Sequence, residues 1–153
     1  MKPSDIPFVY AIANEIHQDL YEDISIFYER LALCPEGCFV LDATIKSCPI
    51  GGYVLSHPFT RNSPPLNTLI KEIPVATCWY IHDVALLPSF RGNGSTSAIV
   101  LRMEDIARSQ GLLEMTLTSV NNSHTFWIRL GFKVDPSVSC STYGESLFMT
   151  KAF

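Results

Sequence analysis

The chain has 153 residues, 47% of them apolar and 17% charged, which suits a single globular domain with a core of its own and excludes a disordered chain. Its net charge is −4, its pI is near 5.5, and its eleven basic residues never form a run. That balance excludes a nucleic-acid-binding surface or one built for an acidic membrane. No apolar stretch approaches the length of a membrane span.

The opening "MKPSDIPFVYAIANEIH" carries acidic residues and no unbroken apolar core, so no signal peptide is expected. Residues 5–17 and 22–33 read as helices. In the second, Ile24, Phe27, Tyr28 and Leu31 recur on one face. "PEGCFVLDATI" and "KSCPIGGYVLS" read as two antiparallel strands joined by a short turn. Residues 57–76 hold four prolines and read as a long ordered loop or lid with one helical turn. "CWYIHDVALL", 78–87, is a strand rich in aromatic and β-branched side chains. A helix follows over 94–109, with Ile99, Met103, Ile106 and Ala107 facing the core. "LLEMTLTSV" is the next strand, with Leu113, Met115 and Leu117 pointing inward. "NSHTFWIRL" is a short helix capped by Ser123, and "GFKV" and "ESLFMTKAF" supply the last strands.

The central strand–helix–strand unit requires a parallel pair inside a mixed sheet with helices on both faces, an α/β or α+β fold. The five cysteines, at 34, 38, 48, 78 and 140, form no C-x-x-C pair and are odd in number. Cys34 and Cys38 lack the second pair or histidine cluster of a zinc site. Reduced, mostly buried thiols in a cytoplasmic protein without a metal are the expectation.

The most informative stretch is "HDVALLPSFRGNGSTSAIVL", 82–101. A helix start leaves its first backbone N–H groups unpaired at the positive end of the helix dipole. Gly92 and Gly94 flank Asn93, permit positive φ and let an anion approach the backbone. Arg91 adds a fixed charge. Ser95, Thr96 and Ser97 offer hydroxyls where an acidic residue would repel a phosphate. The Walker pattern fails for want of a lysine, and the three-glycine dinucleotide fingerprint does not fit. By these residues alone, a diphosphate seat and an ordinary glycine-rich turn both remain open.

"ALLPSFRGNGST" resembles motif A of the general-control-related N-acetyltransferase (GNAT) superfamily, which cradles the coenzyme A diphosphate. "NNSHTFWIRLGF" resembles its motif B. The two stand in the right order at the right separation, and the resemblance spans roughly residues 5–150. Within the superfamily the chain is similar to a subgroup of small single-domain acetyltransferases with no fixed substrate, through "PEGCFVL", "SHP", "PPLN", "YIHD" and a terminal "YG".

The resemblance implies the acyl-CoA N-acyltransferase fold, with a mostly antiparallel sheet and a central splayed parallel pair. It implies acetyl-CoA as cosubstrate, with Val84, Ala85 and Leu86 pairing with the pantetheine amides and Leu87 just beyond. Asn121 matches a position that contacts the cofactor arm. Thr96 departs from the motif's last Gly/Ala. Trp127 replaces the tyrosine that protonates the departing thiolate; an indole lacks the acidity for that role and would instead shield the thioester.

An amine with a pKa near 10.4 is only about 0.04% neutral at pH 7, so its proton must be removed. Tyr80 and His82 share one strand face, opposite Trp79, Ile81 and Asp83. His82 matches a histidine of the arylalkylamine acetyltransferases and is the candidate base; a structural histidine is the plain alternative. The amide of Leu86 is the candidate oxyanion donor. Tyr143 and Tyr80 are candidate acids, and no acid at all is equally open. Asp83 reads as structural. His57 reads as a solvated loop residue, with contact to substrate as the alternative, and Arg61 beside it begins a segment covering the acceptor side. His17 and His124 read as surface. Phe8, Phe27 and Tyr28 read as core or as the wall of an acceptor pocket.

The expected activity is direct acetyl transfer from acetyl-CoA to a small primary amine, arylalkylamine or polyamine-like. The alternative is a coenzyme-A-binding module without catalysis. Small proteins of this resemblance are often homodimers, and the sequence specifies no interface.

Overall fold

The computed structural model describes residues 1–45 and 48–153. A 3-10 turn at Pro3–Asp5 leads into α1 (Ile6–Ile16), followed by α2 (Ile24–Leu33), β1 (Cys38–Ile45), β2 (Cys48–Phe59) and β3 (Cys78–Leu86). Then come α3 (Ser95–Ser109), β4 (Glu114–Ser119), α4 (His124–Arg129), β5 (Lys133–Val134) and β6 (Leu147–Ala152). The expected turn between β1 and β2 lies outside the described residues.

The six strands form one sheet in the order β1-β2-β3-β4-β6-β5. Among the described strands only β3 and β4 pair in parallel, as the intervening helix requires. Val100, Met103 and Ala107 of α3 and Trp127 of α4 pack on one face against Trp79, Ile81, Met115 and Leu117. On the other face, Ile6, Val9 and Ile12 of α1 and Phe27 and Leu31 of α2 pack against Tyr53, Leu55 and Ala85. Asp23 caps α2 by accepting the Ser25 N–H at 2.9 Å. Cys34, Cys38, Cys78 and Cys140 are buried free thiols.

Several expectations need correction. Phe27 is core, but Phe8 and Tyr28 are 48% and 43% exposed and do not line the main cleft at the end of β3. Leu113 precedes its strand and is exposed, so the inward alternation starts at Met115. The Ser123 hydroxyl turns back to the Val120 carbonyl at 2.7 Å instead of capping α4. The proline-rich segment contains no helical turn, and β2 extends into it as far as Phe59.

His57 is therefore a strand residue, paired with Tyr80 and fully buried. Burial, helped by the neighbouring His82, lowers its pKa to about 3. In the unfolded chain the same ring takes a proton near 6.5. Its contribution to stability is thus present in full above about pH 6.5 and is lost as pH falls from there toward 3, at about 1.4 kcal/mol per pH unit. Urea midpoints measured across this window should flatten in His57→Gln; an unchanged acid slope would clear the imidazole of that role.

Candidate active site

The parallel ladder holds three pairs, Trp79–Met115, Tyr80–Thr116 and Ile81–Leu117. β3 continues to Leu86 and β4 to Ser119, so the strands part after Ile81 and a cleft of about 620 Å³ opens between them. Leu87 N–H donates to Gly51 of β2 at 2.9 Å. Hydrogen-bonding direction alternates along an antiparallel strand, so Leu86 and Val84 present their backbone groups to the opposite, open edge. The Leu86 carbonyl does turn that way, accepting the Arg91 Nε–H at 2.9 Å.

The α3 start closes one end of the cleft. Gly92 and Gly94 have φ of 78° and 83°, and a side chain built on either would meet no atom within 4 Å. Asn93 departs from the expected bare start: its Oδ1 accepts both the Ser95 N–H at 3.0 Å and the Ser95 hydroxyl at 2.7 Å. The N–H groups of Gly92, Asn93, Gly94, Thr96 and Ser97 have no acceptor among the described residues. Arg91, Gly92 and Thr96 line the cleft, with Asn121 and Trp127 on the β4–α4 side. Asn121 turns at φ 52°, next to Asn122 at 56°. The seat thus offers unpaired amides, a guanidinium and no acidic side chain in the first helical turn, which fits an anion such as a diphosphate.

The floor carries the titratable groups. β2 and β3 are in register Leu55–Asp83 and Ser56–Ile81, so His82 is an extra residue in β3. This bulge breaks the expected alternation. Asp83 turns to the α1–α2 face together with His82 and does not join Trp79 and Ile81. His82 Nε2 lies 2.9 Å from Glu22 Oε2, and its side chain is 2% exposed. Burial would raise the Glu22 carboxyl, but the charge and hydrogen bond of His82 outweigh it and hold that carboxyl below its usual range.

His17, expected on the surface, sits in this cleft with Nε2 2.9 Å from Asp83 Oδ1. The Asp83 charge raises the pKa of His17 against the effect of burial. Asp83 also accepts a hydrogen bond from the Tyr53 hydroxyl. Its own carboxyl is held low despite burial, first by His17 and then by Tyr53.

The tyrosine candidates are otherwise engaged. Tyr80 is buried beside the Thr118 hydroxyl at 3.0 Å, and burial pushes its pKa up to about 12. Tyr143 lines the cleft but donates its hydroxyl to the Pro64 carbonyl at 2.9 Å, and burial drives its pKa upward. Arg61 does not line the cleft and pairs instead with Glu114 at 3.2 Å and Asp135 at 3.0 Å.

Sequence reasoning overlooked Glu22 and His17. The one available signal for Glu22 was the acidic pair "ED" before α2, where a helix cap accounts for Asp23 and leaves the neighbouring carboxylate unexplained. Among the described residues no group of three or more His, Cys, Asp or Glu is placed to hold a metal ion. No helix there is long and apolar enough to cross a membrane.

The Acetyltransferase (GNAT) family profile matches residues 6–132. The chain belongs to that family, whose chemistry is acyl transfer from a coenzyme A thioester. The glucosamine 6-phosphate N-acetyltransferase of Trypanosoma brucei brucei is 37% identical over 54 residues. That match spans 35% of this chain and 37% of the relative, little more than a third of its length. Among solved structures, the loading GNATL domain of CurA from Lyngbya majuscula superposes with a TM-score of 0.79 at 13% identity, covering 99% of this chain and 94% of that one. Rv2747 from Mycobacterium tuberculosis, in complex with CoA and NLQ, does so at 0.69 and 15%, covering 99% and 96%. At such identities the likeness establishes the fold.

Proposed function

We propose that the protein is an acetyl-CoA-dependent N-acetyltransferase acting by direct transfer on a small primary amine. The observation that carries this reading is the convergence, on one cleft, of a helix start with unpaired amides, an open strand edge and the His82–Glu22 pair. Acetyl-CoA supplies the activated thioester. The amides from Gly92 to Ser97, with Arg91, would hold its diphosphate. Val84, Ala85 and Leu86, with Leu87 at the end, would guide the pantetheine arm, and Asn121 would support it from β4. The Leu86 N–H would take the oxyanion. His82, backed by Glu22, takes the proton of the acceptor ammonium directly or through a water. Trp127 shields the reacting carbon from solvent. Tyr143 and Tyr80 keep structural hydrogen bonds, so water or the amine's own proton serves the thiolate.

The similarity to a glucosamine 6-phosphate N-acetyltransferase supports a small-molecule acceptor. Glu22 and Asp83 in the floor favour an ammonium-bearing acceptor, such as an arylalkylamine or a diamine, over a phosphorylated one. A thiol-release screen should contain arylalkylamines, diamines, glucosamine 6-phosphate and a peptide N-terminus. Thiol released with amines of the first two classes is the expected result. Intact acetyl-CoA binding with no release from any acceptor would instead identify a binding module. In the same assay Thr96→Asp should raise the KM for acetyl-CoA about tenfold, because a carboxylate then occupies the anion seat. An unchanged KM would remove α3 from that role.

A further inference from the structure

Residues 60–77 cross from β2 to β3 with neither helix nor strand, yet they are tied down on both sides. Toward β6, Tyr143 donates to the Pro64 carbonyl at 2.9 Å and Leu66 N–H to the Thr142 hydroxyl at 3.2 Å. Toward α2, the Ile70 and Lys71 N–H groups donate to the Glu29 carboxylate at 3.0 and 2.7 Å. The buried Arg30 donates to the Thr68 carbonyl at 3.0 Å.

Between these anchors, Asn67 does something the anchoring does not require. Its N–H donates to Glu22 Oε1 at 3.1 Å, the carboxylate oxygen that does not face His82. Its own Oδ1 accepts the Asp23 N–H at 2.7 Å. We infer that Asn67 is a positioning residue for the reaction: it clamps Glu22 from behind and fixes the carboxylate orientation that serves His82.

The inference rests on the assignment of His82 and Glu22 as the base pair. A carboxylate held at one oxygen can swing about its Cγ–Cδ bond; held at both, it cannot. The other charged groups near Glu22 do not replace this hold. Asp83 repels it, and Arg30 acts on it at a distance while bonded elsewhere. Asn67 manages the contact at φ 53°, a left-handed conformation that asparagine tolerates and a β-branched residue does not. The group that contacts Glu22 is the backbone N–H, so glycine keeps that contact and gives up only the side-chain bond to Asp23, whereas valine breaks the contact itself.

The test compares Asn67→Val, Asn67→Gly, Glu22→Gln and the Asn67→Val/Glu22→Gln double variant with the wild type. Asn67→Val should lower kcat about tenfold with the KM for acetyl-CoA within about twofold, whereas Asn67→Gly stays within about threefold of wild type. In the Glu22→Gln background, Asn67→Val should add no further loss, because its effect passes through that carboxylate. A purely structural loop residue would slow both backgrounds alike, and that additivity would overturn the inference. So would a wild-type kcat in Asn67→Val. If Glu22→Gln is as fast as wild type, the base-pair assignment fails and this inference with it. Should the protein release thiol with no acceptor, a carboxyl-carbon NMR titration decides the matter independently. The Glu22 midpoint should rise in Asn67→Val and not in Asn67→Gly; an unmoved midpoint overturns the clamp.

Discussion

His82→Ala should slow acetyl transfer by about 10²–10⁴-fold while acetyl-CoA affinity stays within about twofold. The split follows from position. The imidazole lines the cleft where β3 and β4 part and bonds to Glu22 at 2.9 Å. The cofactor contacts proposed above belong to the backbone of β3 and the start of α3. Removing the ring therefore deprives the transition state of a proton acceptor and leaves the thioester's seat in place. Glu22→Gln should fall in the same range, since the amide keeps the shape and loses the charge. The double variant should be no slower than either single one, because a pair acting as one unit is lost once. Stopped-time thiol assays with a fixed acceptor, alongside acetyl-CoA titrations, measure both quantities. A His82→Ala enzyme within threefold of wild type would mean that the amine loses its proton elsewhere.

Arg30→Met should cost about 3–5 kcal/mol of folding stability, the largest loss expected outside the apolar core. The guanidinium is fully buried under residues 66–71, donating to Glu29 and to the Thr68 carbonyl. Arginine keeps its charge even there, although burial lowers its pKa. A methionine fills most of the volume but orphans the Thr68 carbonyl and leaves the Glu29 carboxylate without its counter-charge. Urea unfolding reads this as a lower midpoint with an unchanged slope. A midpoint equal to wild type would show that the ion pair merely offsets its own desolvation.

The sheet and the glycine-opened start of α3 were legible in the sequence for a clear physical reason. Strand and helix periods in 78–119 are local patterns, and the glycines around Asn93 announce their backbone angles through composition alone. The His82–Glu22 pair was opaque because it is assembled from distance. Glu22 and His82 are 60 residues apart, and nothing near either one advertises the other. His57 misled for a related reason. Its proline neighbour signals a loop, but β2 tolerates Pro58 and carries the histidine into the sheet. Asp83 misled because regular alternation was assumed through a strand that contains an extra residue.

That extra residue has a consequence for the whole strand. Were the bulge at His82 ironed out, so that all nine residues of β3 alternated regularly, its downstream half would fall out of phase with its upstream half. Val84, now packed beneath α3, would trade sides with its neighbours, and an ionised carboxylate from Asp83 would be driven in among Trp79, Ile81 and Met103. The bulge thus lets a single run of nine residues keep one flank apolar against α3 while His82 and Asp83 stay together on the other, beside Glu22 and His17.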